Sequence, residues 1–346
     1  MKPKHLTTIA FFCLLIVSVG LVINAVGQRS STARQDGSSS YRLSGPYTHG
    51  NLTVFLVHGK DSTTKSFLTL QEALAQKKVR VYETKDVNEL AIRNLSNQDI
   101  YVQAGDIVRG GDQDRMISVD FIVPPRSGRM PIDAFCVESG RWSRRGNEEN
   151  ATFDSSDNVI ATKDLKLAAK RERSQEAVWK NVKVAQDKLA ANVVAAAPGL
   201  MNTSSFELSV ENSKVKETTD AYIKALSGIL QNKSDVIGYV FAINGHVNSA
   251  DVYASRALFV KLWPKLLKAS AVEAVAESNK DVEPKAVASE TVHTFLNESE
   301  KGKAEARQVT RRVKVVTRED DKNIFFETID GAASDGWVHR NYIRKQ

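Results

Sequence analysis

Two extended runs meet at Asn244-Gly245. Val236-Ile-Gly-Tyr-Val-Phe-Ala-Ile243 precedes the dipeptide and His246-Val-Asn-Ser-Ala-Asp-Val-Tyr253 follows it. Asn-Gly between two such runs is the signature of a two-residue type I′ turn, whose twist matches the strands it joins. An antiparallel hairpin is therefore expected there.

Strand candidates recur on both sides of it. Leu52–Val57 is a short apolar run. Val79–Thr84 alternates apolar and polar residues, as does 87–95 with Asn88, Leu90, Ile92 and Asn94 facing inward. Further strands are expected at 100–102, 115–123 and 130–137, separated by Gly105, Gly110 and Gly111. Short connections between successive strands imply antiparallel pairing. The spacing of Phe67, Leu70, Ala73 and Leu74 predicts a short helix over 66–76. After Trp142 the composition changes, and 143–157 reads as an exposed polar loop. Ser174 is placed to cap a helix that buries Val178, Val182, Ala185, Leu189 and Val193. A second helix is expected over 215–230. A third, over 255–269, carries a wide apolar face, with a kink or break expected at Pro264. Alternating runs at 312–317, 324–328 and 337–343 predict three closing strands. The fold class is α+β: an antiparallel, β-sandwich-like N-terminal unit, then a helix-rich part with a β-hairpin. The boundaries read as a leader at 1–27, a flexible linker at 28–46, a domain at 47–269, and a C-terminal helix plus strands at 270–346 that could form a small extra domain.

Lys2, Lys4 and His5 precede an apolar run from Leu6 to Val26, and Ala25 and Gly27 set small residues two apart. This is the pattern of a cleaved signal peptide. The run would span about 31 Å as a helix, which just crosses a bilayer, so an uncleaved membrane anchor is also viable, though Thr7, Thr8, Gly20 and Asn24 weaken it. Either reading makes the rest of the chain exported, and the membrane is touched only through this segment. Removal of the leader would take Cys13 with it and leave Cys136 as the single thiol. The net charge of +7 comes from 48 basic and 41 acidic residues that are interleaved rather than grouped. Nucleic-acid binders concentrate their positive charge, so no nucleic-acid partner is expected, while a small anionic ligand or a protein partner stays open.

The stretch from Tyr101 to Trp142 holds the densest mixture of strand and charge. Consecutive Gly110 and Gly111 could converge backbone N–H groups on an anion, helped by Arg109 and Arg115, or could simply form a tight turn. Gln113, Arg115, Glu138 and Arg141 could form a ligand clamp or a structural ion pair, and Trp142 could supply a stacking face or pack in the core. Asp106, Asp112, Asp114 and Asp120 lack the spacing of a calcium loop, and the histidines show no zinc pattern. No metal or other cofactor is expected. Asp251, after the hairpin turn, could face the same cluster or serve as a cap or a surface carboxylate.

Ala104-Gly-Asp-Ile-Val-Arg-Gly-Gly-Asp-Gln-Asp-Arg115 and Phe135-Cys-Val-Glu-Ser-Gly-Arg-Trp142 resemble the ARG-and-rhodanese-phosphatase-superfamily-associated domain. Members carry a Gly-Gly-x-Gln-x-Arg segment followed by Cys-x-Glu-x-Gly-Arg-Trp. Gly238–Ile243, Gly245, Asp251-Val-Tyr253, Leu258-Phe259 and Trp263–Leu267 fit the later pattern, so the likeness covers roughly 50–269. The family name associates it with ADP-ribosylglycohydrolase and rhodanese-phosphatase domains, and the resemblance implies a fold unit and a surface rather than a reaction. Three readings follow. The first is a ligand-binding or interaction module with a pocket at Gln113, Arg115, Glu138 and Arg141. The second is a hydrolase of an anionic or glycosidic substrate, with Glu138 as acid/base beside Asp106 or Asp114. The third is a structural envelope protein.

Overall fold

The computed structural model describes residues 41–140, 153–194, 205–279, 285–332 and 336–345. The expected leader, Arg141 and Trp142 lie outside the described residues. Ser40–Gln346 form one compact unit.

In chain order the first part forms strands Arg42–His49 (β1), Leu52–His58 (β2) and Leu68–Thr69 (β3), helix Leu70–Ala75 (α1), and strands Val79–Glu83 (β4), Glu89–Asn94 (β5), Ile100–Val102 (β6), Asp106–Gly110 (β7), Arg115–Ile117 (β8), Phe121–Val123 (β9), Met130–Cys136 (β10) and Phe153–Ile160 (β11). Helices follow: Lys163–Leu167 (α2) running into a π-helical turn at Ala168–Glu172, Gln175–Leu189 (α3), Phe206–Glu211 (α4) and Ser213–Leu226 (α5). The hairpin Val236–Ile243 (β12) and His246–Tyr253 (β13) precedes helices Arg256–Ala276 (α6) and Ser289–Ser299 (α7). Strands Lys303–Gln308 (β14), Val313–Glu319 (β15), Asn323–Asp330 (β16) and Trp337–Arg344 (β17) close the chain.

The hairpin is as expected. Asn244 and Gly245 both take positive φ, 52° and 80°, which the type I′ turn requires. Its strands sit at the middle of an eight-stranded antiparallel sheet ordered β1-β2-β12-β13-β17-β16-β15-β14. β2 is buried along its whole length. Alternation sends Leu52, Val54 and Leu56 to the face covered by α6. Phe55 and Val57 go to the opposite face, packed with Val292, Phe295 and Leu296 of α7. Each such fully buried large apolar side chain contributes roughly 1.5–3 kcal/mol. A six-stranded sheet, β11-β7-β8-β10-β5-β4, and a three-stranded one, β3-β6-β9, complete the sheet structure. Helices α2, α3 and α4 share a core with Ile107, Met116, Phe135 and Val137.

The α+β class and the N-terminal antiparallel sheet agree with the reading above. Several details do not. β1 begins at Arg42, inside the segment read as a linker, because its backbone pairs with β2. β1 and β2 also leave the N-terminal unit and pair through β2 with β12, while β17 pairs with β13. The strands of 270–346 therefore share one sheet with those of 47–269. The run 115–123 divides: β8 pairs with β10 and β9 with β6, and the break frees Asp120 to accept a bond from Ala104 N–H at 2.7 Å. Residues 153–157, read as loop, belong to β11, which pairs with β7. The short helix starts later, at Leu70, where Thr69 and Glu72 form a reciprocal capping box. Pro264 does not end α6. The carbonyl it leaves without an N–H partner belongs to Val260, which is exposed to solvent. Among the described residues no helix is long and apolar enough to cross a membrane.

Candidate functional site

The stretch from Tyr101 onward feeds two separate polar clusters. The first lies around the glycine turn. Gly111 has φ +58°, and a Cβ there would sit against Glu83 Oε1 and 2.6 Å from Phe153 Cζ, so only glycine fits. The turn holds the protein's own carboxylates. Gly110 N–H donates to Asp114 Oδ1 at 3.2 Å, and Asp112 N–H donates to Glu83 Oε1 at 3.1 Å. Arg109 turns away to a surface ion pair with Glu211 at 2.8 Å.

Gln113 and Arg115 do meet the Glu138 segment. Gln113 Nε2 donates to the Glu138 backbone carbonyl at 3.2 Å, and its Oε1 accepts from Arg115 at 3.0 Å. Arg115 also reaches Cys136 Sγ at 2.8 Å and Glu83 Oε2 at 3.5 Å. Burial pushes the Cys136 thiol up to about 11 against the pull of Arg115. Glu138 is only 4% exposed and bridges to Ser205 through its backbone. The convergence is a packed seam: Gln113 and Arg115 spend their donors on a backbone carbonyl, a thiol and a carboxylate.

The second cluster lies where the other half of the stretch meets the eight-stranded sheet. Asp251 and Tyr253 of β13, His339 and Asn341 of β17, and Thr328 of β16 come together by register: Asp251 opposes Asn341, Tyr253 opposes His339, and Thr328 opposes His339. His339 lies between two carboxylates, its Nδ1 2.9 Å from Asp120 Oδ2 and its Nε2 3.0 Å from Asp251 Oδ1. The Tyr253 ring stacks on it at 4.5 Å. Asp120 further accepts from Thr328 at 2.6 Å, and Lys170 Nζ stands 3.7 Å away, an ion pair too long for a hydrogen bond. Asp106 is closed off by Lys265 at 2.6 Å.

The electrostatics follow from enclosure and pairing. Burial alone would raise the Asp120 carboxyl, but Lys170 and His339 hold it well below the usual carboxylate range. Burial opposes ionisation of Asp251 too, and Lys166 and His339 more than offset it. Burial would neutralise His339, but Asp120 and then Asp251 raise its pKa. With a carboxylate on each ring nitrogen, the site favours the charged form of the ring, in which both nitrogens donate. Desolvation pushes the Lys170 amine down.

Among the described residues, four polar atoms of this second cluster lack a close hydrogen-bond partner: Tyr101 OH, Gln103 Nε2, Lys170 Nζ and Asp251 Oδ2, with the Tyr239 hydroxyl also acting on the Asp251 carboxylate. Their residues are 1%, 1%, 7% and 1% exposed. In the first cluster Arg115 Nε is the corresponding atom. No metal-holding group of three or more His, Cys, Asp or Glu occurs among the described residues. Two surface clefts lie elsewhere, one of 740 Å³ beside Phe295 and Asp320 and one of 680 Å³ beside Lys65 and Trp337.

A family model described as ARPP-1, the ARG and Rhodanese-Phosphatase-superfamily-associated Protein domain, matches residues 40–343. The chain belongs to this family. The ARPP-1 match runs past Ala269 and includes His339, so both clusters and the closing strands fall within it. No curated protein and no solved structure matches the chain.

Within the ARPP-1 domain, the stretch singled out in the sequence feeds both clusters, and the sequence showed one half of its contacts. Asp106 and Asp120 stood out as carboxylates, yet they pair with Lys265 and His339. Asp251 is neither a cap nor a surface group, and it faces His339 rather than Glu138. His339 and Asn341 had a signal: they are polar residues at alternating positions of a strand whose last turn-inward residue, Ile343, is apolar. Lys170 had none, because its neighbours Ala168 and Ala169 read as ordinary helix.

Proposed function

We propose that this ARPP-1 domain is a ligand-binding module, and that its ligand is held in the buried network around His339, Lys170 and Asp251. One observation carries the reading: four unpaired polar atoms from nearly fully enclosed side chains belong to a single network. Leaving a buried polar group unpaired costs about 1–3 kcal/mol, so native proteins seldom keep several together without a polar guest. The π-helical turn that carries Lys170 supports the reading, since such turns concentrate at functional positions. Gln113, Arg115 and Glu138 then serve as the packed support of the neighbouring turn.

A thermal-shift screen against nucleotides, ADP-ribose, sugars and small organic acids tests this. A ligand present at 100 times its Kd stabilises the folded chain by about 2.7 kcal/mol. The shift should persist in Glu138→Gln and vanish in Lys170→Met. The reverse pattern returns the ligand to the Gln113, Arg115 and Glu138 seam. Turnover that Glu138→Gln abolishes would favour the hydrolase reading instead. We also propose export, on the basic, apolar and small-residue pattern of residues 1–27. Full-length protein in a soluble cytosolic fraction would count against it.

A further inference from the structure

We propose that Ser44, His58 and Asp235 form a nucleophilic triad that hydrolyses small acyl esters beside the β1 edge of the eight-stranded sheet. The triad shares no residue with either polar cluster described above. His58 is the last residue of β2 and is 7% exposed. Its Nε2 lies 2.7 Å from Ser44 Oγ and its Nδ1 lies 2.8 Å from Asp235 Oδ1. A nucleophile, a base within reach of it and a third group that orients the base are the parts covalent catalysis needs. Ser, His and Asp in this sequence of contacts recur on unrelated folds, so geometry identifies them and chain position does not.

The sheet assembles the three groups. β1 pairs with β2 so that Arg42 opposes His58 and Ser44 opposes Leu56. Alternation puts Arg42 and Ser44 on the face that His58 shares, with Ser44 one diagonal step away. Asp235 arrives from the other side of β2, immediately before β12, where Val236 opposes His58. Gly59 N–H donates to the Asp235 carbonyl at 2.9 Å and fixes that approach. Arg42 forms an ion pair with Asp235 Oδ2, which leaves Oδ1 to the histidine. The hydrogen bond from His58, with Arg42 adding to it, holds the Asp235 carboxyl below its ordinary value. An ionised Asp235 accepts, so Nδ1 of the neutral ring donates and Nε2 is left to take the Ser44 proton.

Access and chemistry set the substrate class. Ser44 is half-buried and the Asp235 side chain is 49% exposed, so the nucleophile is reached from solvent. None of the three residues lines either described cleft, so no deep acyl tunnel serves the serine there, and a short acyl group fits best. β1 bulges directly after Ser44: Gly45 and Pro46 have no partner in the register, which resumes at Tyr47. The Gly45 N–H is the adjacent backbone donor that a developing oxyanion would use. Ser44 Oγ bonds to the acyl carbon as its proton passes to His58 Nε2. The bond to the alcohol oxygen then breaks, and His58 returns the proton to that oxygen. Water attacks the acyl carbon and gives a proton to His58. The bond to Ser44 then breaks as Oγ regains that proton, so ester and water become acid and alcohol.

The test treats the full chain with a fluorophosphonate, from whose phosphorus Ser44 Oγ displaces fluoride, and maps the adduct by peptide mass. An adduct on Ser44 is expected. p-Nitrophenyl acetate should give a stoichiometric burst of nitrophenolate and an acetyl group on the same serine. Ser44→Ala should carry neither adduct, and Ser44→Cys, which keeps a nucleophile, should still take the acetyl group. His58→Gln should label about a hundredfold more slowly, the lower end of what a general base contributes. Thermal unfolding of each variant separates a lost base from a lost fold. Should His58→Gln fail to fold, Asp235→Asn at the half-exposed position carries the same test and should also slow labelling. A folded native chain with no adduct on Ser44, an adduct only elsewhere, or Ser44 labelling as fast in the folded His58 or Asp235 variant as in the native chain would each overturn the proposal.

Discussion

Arg115 and Lys170 are both buried cations set against carboxylates, and they end in opposite states. Arg115 distributes its guanidinium over Gln113, Cys136 and Glu83, and one Nε–H is left over. Lys170 stands 3.7 Å from Asp120 and 4.2 Å from the Phe326 ring centroid, with no hydrogen bond for its ammonium. The planar fork of Arg can satisfy several acceptors in a packed seam, while Lys is a compact point charge that needs its acceptors brought to it. The lesson is that charge density alone does not tell the two clusters apart. The polar valence left over does.

The comparison can be broken at its strongest point first. Asp120 accepts from His339, Thr328 and the Ala104 backbone while facing Lys170, so Asp120→Ala strands two buried cations. A loss of about 3–5 kcal/mol is expected in urea unfolding. Arg115→Met should cost less, about 1–3 kcal/mol, because Glu83 has solvent within reach and can rehydrate. Equal costs would mean the two clusters are energetically alike. Gly111→Ala should cost about 1–2 kcal/mol from its positive φ alone, plus the crowding of Phe153.

A smaller effect sharpens the contrast through pH. The pKa of His339 is raised above its ordinary 6.5 in the fold. Its contribution is therefore full below about 6.5 and is lost as pH rises through the higher folded value. Asp120 and Asp251 are lowered from 3.8, so theirs is present above about 3.8 and lost as pH falls. Lys170 is lowered from 10.5, so its charged form costs stability and that cost is relieved as pH rises through its folded value. Unfolding free energies of the native chain and of His339→Gln, measured from pH 6 to pH 9, isolate the histidine. The native chain should lose its advantage over the variant as pH rises, and a constant gap would contradict an imidazolium. The least perturbing test is chemical. Cys136 is fully buried and its thiol sits near 11, so it should resist thiol reagents at pH 8 until the chain unfolds.

Local features were legible wherever the signal was local. Asn244-Gly245 fixed a hairpin, Ser174 capped a helix, and Leu90, Ile92 and Asn94 faced inward, because turn chemistry and periodicity act over a few residues. Sheet order was not legible. β2 finds β12 and β13 finds β17 across many intervening helices and strands, and register between distant strands is set by packing that no short pattern encodes. The same holds for the network. Asp120, Lys170, Asp251 and His339 come from four distant segments, whereas Gln113, Arg115 and Glu138 stood out because they lie closer in the chain.

An atomic-resolution crystal structure of the folded chain tests the central claim most directly. The account predicts ordered non-protein density within hydrogen-bonding distance of Lys170 Nζ and Asp251 Oδ2, with Gln113 still bonded to the Glu138 carbonyl. Lys170 bonded directly to a protein acceptor, with Tyr101, Gln103 and Asp251 paired among themselves and no such density, would contradict it.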